Sequence, residues 1–459
     1  MLMKENIWKK YNDQEKTKIM EMAEDYKNFL SLGKTERECN REIIRRAEKV
    51  GFENINEYIS GKLKIYPGAK IYADNRGKAV ALFIIGKEEI TKGMNILGAH
   101  IDSPRLDLKA NPLYEDNDFA YLDTHYYGGI KKYQWVTIPL ALHGVIVKKD
   151  GTSINVNIGE KDGDPVFCIT DLLPHLANEQ MKKDASKLIE GEALDVLIGN
   201  VPGDDDKETV KRNILEILKE TYDITEEDFL SAEIEVVPAG KARDLGIDRS
   251  MVLAYGQDDR SCAYSSLRAF LEMENPVKTV SCILVDKEEI GSVGATGMES
   301  LFYENMVAEI CKLLGEESFV ALRRVFANSK MLSSDVNAAY DPLYASVMDK
   351  RNASYLARGL VFCKYTGSRG KNSSNDADAE YLAELRRIMD DNNIAFQVSE
   401  LGKVDAGGGG TIAYILANYD VKVVDCGIGI LSMHAPFEVA SKVDIYEAYR
   451  GYLAFIRNA

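Results

Sequence analysis

From about Asp13 to Val50, apolar residues recur at mixed spacings of three and four, with lysines and glutamates between them. That period predicts helices. Ile65 to Ile85 switches to short β-like runs, with Asn75-Arg76-Gly77 as the turn. Gly93 to Leu97 is a short apolar strand whose run ends at His100. Thr137 to Val147 and Ser153 to Ile158 read as strands, the second alternating Ile154, Val156 and Ile158 with polar partners. Asp150-Gly151 between them is a hairpin signal. Asn178 to Leu230 is polar and predicts helix, with a solvated acidic turn at Asp204-Asp205-Asp206. After Gly240, buried-type strands are predicted at Thr279 to Val285, Ala345 to Met348, Val361 to Tyr365 and Val421 to Cys426, with helices between them. A final helix follows Ser441, and Ser441 with Asp444 is its expected capping box. Alternation of this kind predicts an α/β sheet with helices on both faces.

Composition narrows the function classes. The 459 residues predict two or three domains. A hydrophobic share of 45% supplies a large core without disulfides. The net charge of −16 disfavours nucleic acid and anionic membranes as partners. Met1 to Lys34 is charged throughout, without a signal-peptide core, and no apolar run reaches bilayer-spanning length. Seven scattered cysteines without a C-x-x-C pair predict reduced thiols and a cytoplasmic setting.

The candidate chemistry lies at predicted strand ends. His100 stands in Gly98-Ala99-His100-Ile101-Asp102 and His434 in Ser432-Met433-His434-Ala435, each just past an apolar strand. Asp286-Lys287-Glu288-Glu289 follows another, Ser333-Ser334-Asp335 a third, and Gln257-Asp258-Asp259-Arg260 opens a helix-like run. Alone, any one acidic motif reads more simply as a solvated turn, and either histidine as a core or surface residue. Three acidic clusters and two histidines at strand exits fit that explanation less well, because sites in open α/β sheets form at the carboxyl ends of strands. Zinc takes imidazole nitrogen and carboxylate oxygen at about 2.0–2.2 Å. Two zincs about 3.5–4 Å apart require a bridging carboxylate and share a hydroxide, with a terminal histidine and carboxylate on each. Two histidines and three carboxylates meet that count, and one further carboxylate must take the water's proton.

Rival chemistries lack their signatures. There is no H-E-x-x-H helix and no G-x-S-x-G elbow. Gly370-Lys371 fails as a P-loop, because Tyr365 stands where glycine is required and Asn372 follows the lysine. Gly427-Ile428-Gly429 lacks the third glycine of a dinucleotide loop. The run Gly407 to Gly410 fits either an anion cradle or close backbone packing.

Taken in order, Gly98-Ala99-His100-Ile101-Asp102-Ser103-Pro104-Arg105, Asp258-Asp259-Arg260-Ser261-Cys262, Asp286-Lys287-Glu288-Glu289-Ile290-Gly291, Ser334-Asp335 and Met433-His434 resemble the aspartyl aminopeptidase (aminopeptidase I) family of two-zinc metallopeptidases. The resemblance spans nearly the whole chain. It implies a three-layer α/β catalytic domain with a mixed, mostly parallel sheet at 1–108 plus 243–459. A β-rich dimerisation domain at 109–242 would interrupt it. It implies two zinc ions per subunit, with cobalt or manganese as substitutes. His100 and Asp335 would be terminal on one ion, Glu289 and His434 on the other, and Asp258 would bridge. Glu288 would be the general base, with Asp102 orienting His100. His175 in Leu173-Pro174-His175-Leu176 looks like the histidine that family members donate to a neighbouring subunit's site. Tyr127-Gly128-Gly129 and Trp135 echo a family segment. His143 reads as structural, and His125 has no family match. The resemblance also implies homo-oligomers, dimers assembled into a dodecamer.

Two departures bear on substrate choice. Thr137-Ile138 stands where the family usually has Asp-Arg, and Ala338 where it often has histidine. The expected activity is removal of single N-terminal residues from peptides, acidic ones included. Lys364, Arg369 and Lys371 are candidates to receive an acidic side chain. The alternatives are another two-zinc hydrolase on the same scaffold, a carboxypeptidase or deacylase, or a non-catalytic assembly protein.

Overall fold

The computed structural model describes residues 5–204, 207–367, 370–372 and 374–459. The chain divides into two compact units. The first holds the chain up to Ser103, Ala242–Met433 and Glu438–Ala459. The second holds Pro104–Lys241 and the short stretch His434–Phe437.

The first unit starts as its caps dictate. Asn12 and Glu15 form a reciprocal capping box for the helix Asp13–Leu32, and Thr35 and Glu38 form another for Glu36–Lys49. Among the described residues, this unit carries a nine-stranded sheet. Its order is Glu53–Asn54, Lys70–Asn75, Ala79–Ile84, Thr279–Val285, Met94–His100, Lys330–Ser333, Lys422–Gly427, Leu360–Cys363 and Phe396–Val398. The four strands from Thr279–Val285 to Lys422–Gly427 run parallel, so their carboxyl ends share one edge. Ala79–Ile84 and Leu360–Cys363 flank them antiparallel.

Alternation along the strands fills two cores. Leu97, Ala99, Leu332, Val424 and Cys426 pack with Phe29, Ile43, Leu267, Phe270, Leu385 and Tyr452 from helices on one face. Ile96, Met331, Val423 and Ile283 pack with Tyr58, Val307, Ile310, Phe326 and Ala413 from helices on the other. Helices thus cover a mixed, mostly parallel sheet on both sides, as the alternation predicts. A smaller sheet runs Arg243–Leu245, Met251–Ala254, Glu438–Ser441, Gly429–Leu431 and Asn337–Ala338.

The second unit is built on a six-stranded antiparallel sheet, in the order Ser153–Ile158, Leu140–Val147, Ala232–Pro238, Arg105–Asp116, Phe119–Tyr127 and Val196–Gly199. The helix Thr209–Tyr222 accompanies it.

Three local expectations are corrected. Ala345 to Met348 is no buried strand. Pro342–Val347 forms 3-10 turns, because Pro342 opens them and the Asp341 carboxylate caps the Leu343 amide. Among its described residues, Asn178 to Leu230 holds short 3-10 turns, one strand at Val196–Gly199 and one regular helix at Thr209–Tyr222, joined by irregular chain. The polar stretch before Val210 offers too few spaced apolar residues to hold a longer helix. Ser441 precedes the helix Lys442–Asn458 but its hydroxyl makes no cap bond. Asp444 instead accepts the amides of Ala357 and Gly359, at 2.6 and 2.7 Å. Of the acidic run, Asp205 and Asp206 lie outside the described residues.

Candidate active site

Strand register sets the site. Val285 is level with His100, and Ser333 with Gly98. The Ser334 amide donates to the Gly98 carbonyl at 2.5 Å, which carries the pairing past the strand end and brings Asp335 up beside His100.

His100 is buried. Its Nδ1 lies 3.1 Å from the Asp102 carbonyl oxygen and 3.3 Å from Asp102 Oδ1. Both neighbours are acceptors, so the ring proton belongs on Nδ1. Nε2 faces three carboxylates: Asp258 Oδ1 at 3.4 Å, Glu288 Oε2 at 3.9 Å and Asp335 Oδ1 at 4.0 Å.

Asp258 sits in the first turn of the helix Gln257–Leu271 but has extended ψ of 111°. Its backbone is held on both sides. The amide donates to Glu438 Oε2 at 3.0 Å, and the carbonyl accepts the Ser103 hydroxyl at 2.7 Å. Glu288 and Glu289 occupy a 3-10 turn directly after Thr279–Val285. Lys287, with φ of 71°, and Gly291, with φ of 96°, reverse the chain on either side of it. Both glutamate amides donate to Asp102, one to each carboxylate oxygen, at 3.2 Å. Asp286 beneath them accepts from Thr296 and Lys287, each at 2.6 Å.

Burial and neighbouring charge shift the titration of several of these groups. Burial pushes the Asp335 carboxyl well up, and Asp259, Asp258 and Glu288 add to it. Asp259 is raised by burial as well, with His100 partly offsetting. Burial opposes the His100 imidazolium, yet Asp102 and Asp258 hold its pKa well above the ordinary value. Asp425, on the strand Lys422–Gly427, is pushed up to about 7 by burial, with Thr411 opposing and Glu288 adding. Crowded carboxylates of this kind are settled by a multivalent cation.

The donor atoms are close enough to hold one. His100, Glu288 and Glu289 present ligand atoms within 4.8 Å of one another, and so do His100, Asp258 and Asp335. Imidazole nitrogen with carboxylate oxygen is a set that suits zinc.

The other expected residues are placed as follows. His434 follows the strand Gly429–Leu431, has φ of 63°, and lies within the second unit's grouping. Its Nδ1 stands 2.8 Å from the Gly129 carbonyl oxygen, which leaves Nε2 as the ring's lone-pair nitrogen. His175 is exposed in a turn. His125 stacks on Tyr126, and buried His143 lies 3.2 Å from Glu160, a partnership of structural character. Lys364 and Lys371 both pair with Asp376, at 3.6 and 2.9 Å. Arg369 lies outside the described residues. Ala338 is on the two-residue strand Asn337–Ala338, and Thr137 has φ of 60°. Asp425 and Glu438 were not among the expected site residues. A carboxylate within the apolar run Val423-Val424-Asp425-Cys426 was the available signal for the first. Glu438 had none.

Residues 29–456 match the family model for aminopeptidase I zinc metalloprotease (M18). The chain is 60% identical over 461 residues to a probable M18 family aminopeptidase 1 of Clostridium acetobutylicum, covering 100% of this chain and 99% of that one. It matches the crystal structure of an M18 family aminopeptidase from Thermotoga maritima with a TM-score of 0.95 and 46% identity, over 100% of both chains. The S. cerevisiae mApe1 dodecamer shares the fold, with a TM-score of 0.76 and 20% identity over 95% of this chain and 96% of that one. With the zinc-suited donor set at its strand ends, the chain belongs to the M18 family of aminopeptidase I zinc metalloproteases.

Proposed function

We propose that this protein is a zinc-dependent aminopeptidase that removes single N-terminal residues from peptides, and that Glu288 is its general base. The carrying observation is the buried crowd of carboxylates around His100 Nε2, with Glu288 3.9 Å away and partly open to solvent.

Two zinc ions per subunit fit the ligand groups. His100 and Asp335 would hold one, Glu289 and His434 the other, with Asp258 shared. In support, His100 stands in two donor groups within the first unit, one with Glu288 and Glu289 and one with Asp258 and Asp335. Zinc bound there polarises a scissile carbonyl and acidifies water. The chain's own residues do the rest. Glu288 accepts the attacking water's proton and returns it to the departing amine. Asp102 keeps the His100 ring in its Nδ1-protonated form and braces the turn that carries Glu288. The β-rich unit is the proposed dimer contact, and His175 the proposed contribution to a neighbouring subunit's site. The dodecameric relative supports a homo-oligomer, which we propose is built of dimers assembled into a dodecamer. The proposed setting is cytoplasmic. No helix among the described residues is long and apolar enough to cross a membrane.

Lys364 and Lys371 are already paired with Asp376, so an acidic N-terminal side chain would compete with that carboxylate. Zinc-loaded protein should be offered unblocked dipeptides and amino-acid anilides beside their N-acetylated forms. Cleavage confined to free-amine substrates is expected. Preferential cleavage of acylated substrates would instead favour a carboxypeptidase or deacylase. No turnover of either kind would remove the enzymatic reading.

A further inference from the structure

The chemistry above leaves the glycine run 407–410 unused. Two of its glycines have internal reasons. A Cβ on Gly407 would stand 1.9 Å from the Leu401 carbonyl oxygen, and Gly408 has φ of 138°. Gly409 and Gly410 have neither. Their φ values lie outside the left-handed region. The nearest atom to a Cβ on Gly409 is Leu401 Cδ2 at 3.8 Å, and nothing stands within 4 Å of one on Gly410. Glycine widens the unfolded ensemble and costs stability where the fold does not need it. A glycine without an internal reason suits a place where another backbone comes close. Among the described residues, the amides of Gly408, Gly409 and Gly410 donate to no protein group, while the Gly409 carbonyl accepts the Gly367 amide at 2.6 Å.

The run ends beside the site. Thr411 donates its hydroxyl to Asp425 Oδ1 at 2.6 Å, and that hydroxyl accepts the Ala413 amide at 3.3 Å. Asp425 is buried and level with Ser333, two residues before Asp335. Ile412 Cδ1 lies 3.6 Å from where a Cβ on Gly98 would sit, two residues before His100. Glu288 acts electrostatically on Asp425 and on Tyr414, so both stand within electrostatic reach of the proposed base.

We propose that Gly409 and Gly410 are the surface on which the main chain of a bound peptide lies, their amides donating to its carbonyl oxygens, and that the Thr411–Asp425 hydrogen bond positions that surface. Recognition there is of backbone, independent of side chain. This rests on the aminopeptidase reading, which fails separately if wild-type enzyme is inert toward every unblocked peptide.

Gly410→Ala is the test, read on zinc-loaded enzyme with an unblocked tetrapeptide. The methyl enters open space in the free protein, so melting temperature and zinc content should match wild type. KM should rise about tenfold, the scale of one forfeited hydrogen bond and a steric clash, with kcat nearly unchanged. An active wild type with an unchanged KM in Gly410→Ala overturns the peptide surface. Thr411→Val should raise KM in the same way, and Thr411→Ser should restore it. A Thr411→Val enzyme that only melts lower, at wild-type KM, overturns the positioning role.

Discussion

The buried carboxylate of Asp102 accepts the backbone amide of Glu288 at 3.2 Å. Its other oxygen accepts the Glu289 amide, and the same residue faces Nδ1 of His100. One side chain therefore fixes both the imidazole proposed to bind metal and the turn that presents the proposed base. Asp102→Asn would turn an amide donor toward a group that is itself a donor. Zinc affinity should drop about 10–100-fold with the fold intact. Competition against a chelator measures this, and unchanged affinity would refute the bracing role.

Glu288→Gln keeps the shape of the turn but cannot take a proton. Turnover should fall by about 10²–10⁴-fold while two zinc ions stay bound. Paired metal analysis and steady-state kinetics decide it. Retention of most activity removes Glu288 from its role.

His434→Ala should lower zinc content toward one ion per subunit, because each ion needs its own imidazole in the proposed set. Two ions retained at full occupancy would show that His434 is not a ligand.

Asp444 gives a test remote from the metals. Burial pushes its carboxyl up to about 7 from the ordinary 3.8, against the two amide bonds that favour its charge. The folded state thus holds this proton more tightly than the unfolded state. Its stabilising contribution is complete below about pH 4 and is lost as pH rises through about 7. The melting temperature of wild type minus that of Asp444→Asn should therefore decline across that window. A flat or rising difference would contradict the assignment.

Much of this was legible in the sequence because strand-end motifs combine two periodic signals. The apolar runs before His100, Glu288 and Asp335 mark buried strands, and the polar residue that breaks each run marks its exit. The helices Asp13–Leu32 and Glu36–Lys49 were legible from the three-and-four spacing of their apolar residues. What stayed hidden was long-range. Glu438 reaches the Asp258 amide across 180 residues, and no local pattern encodes that bond. Asp444 carried a local capping signature, but the fold offered it two amides from a distant loop instead. Ala345 to Met348 looked like a strand because four apolar or small residues were read without the Asp341-Pro342 start before them.

The strand Lys422–Gly427 pairs with Lys330–Ser333 on one side and Leu360–Cys363 on the other. It follows both of these strands in the chain, yet it lies between them in the sheet. A nascent chain stopped before it has a slot between two older strands and neither neighbour fully paired. Chain order thus leaves the sheet beneath the site open until this strand arrives, so the residues before Lys422 cannot by themselves complete the edge that gathers His100, Glu288 and Asp335.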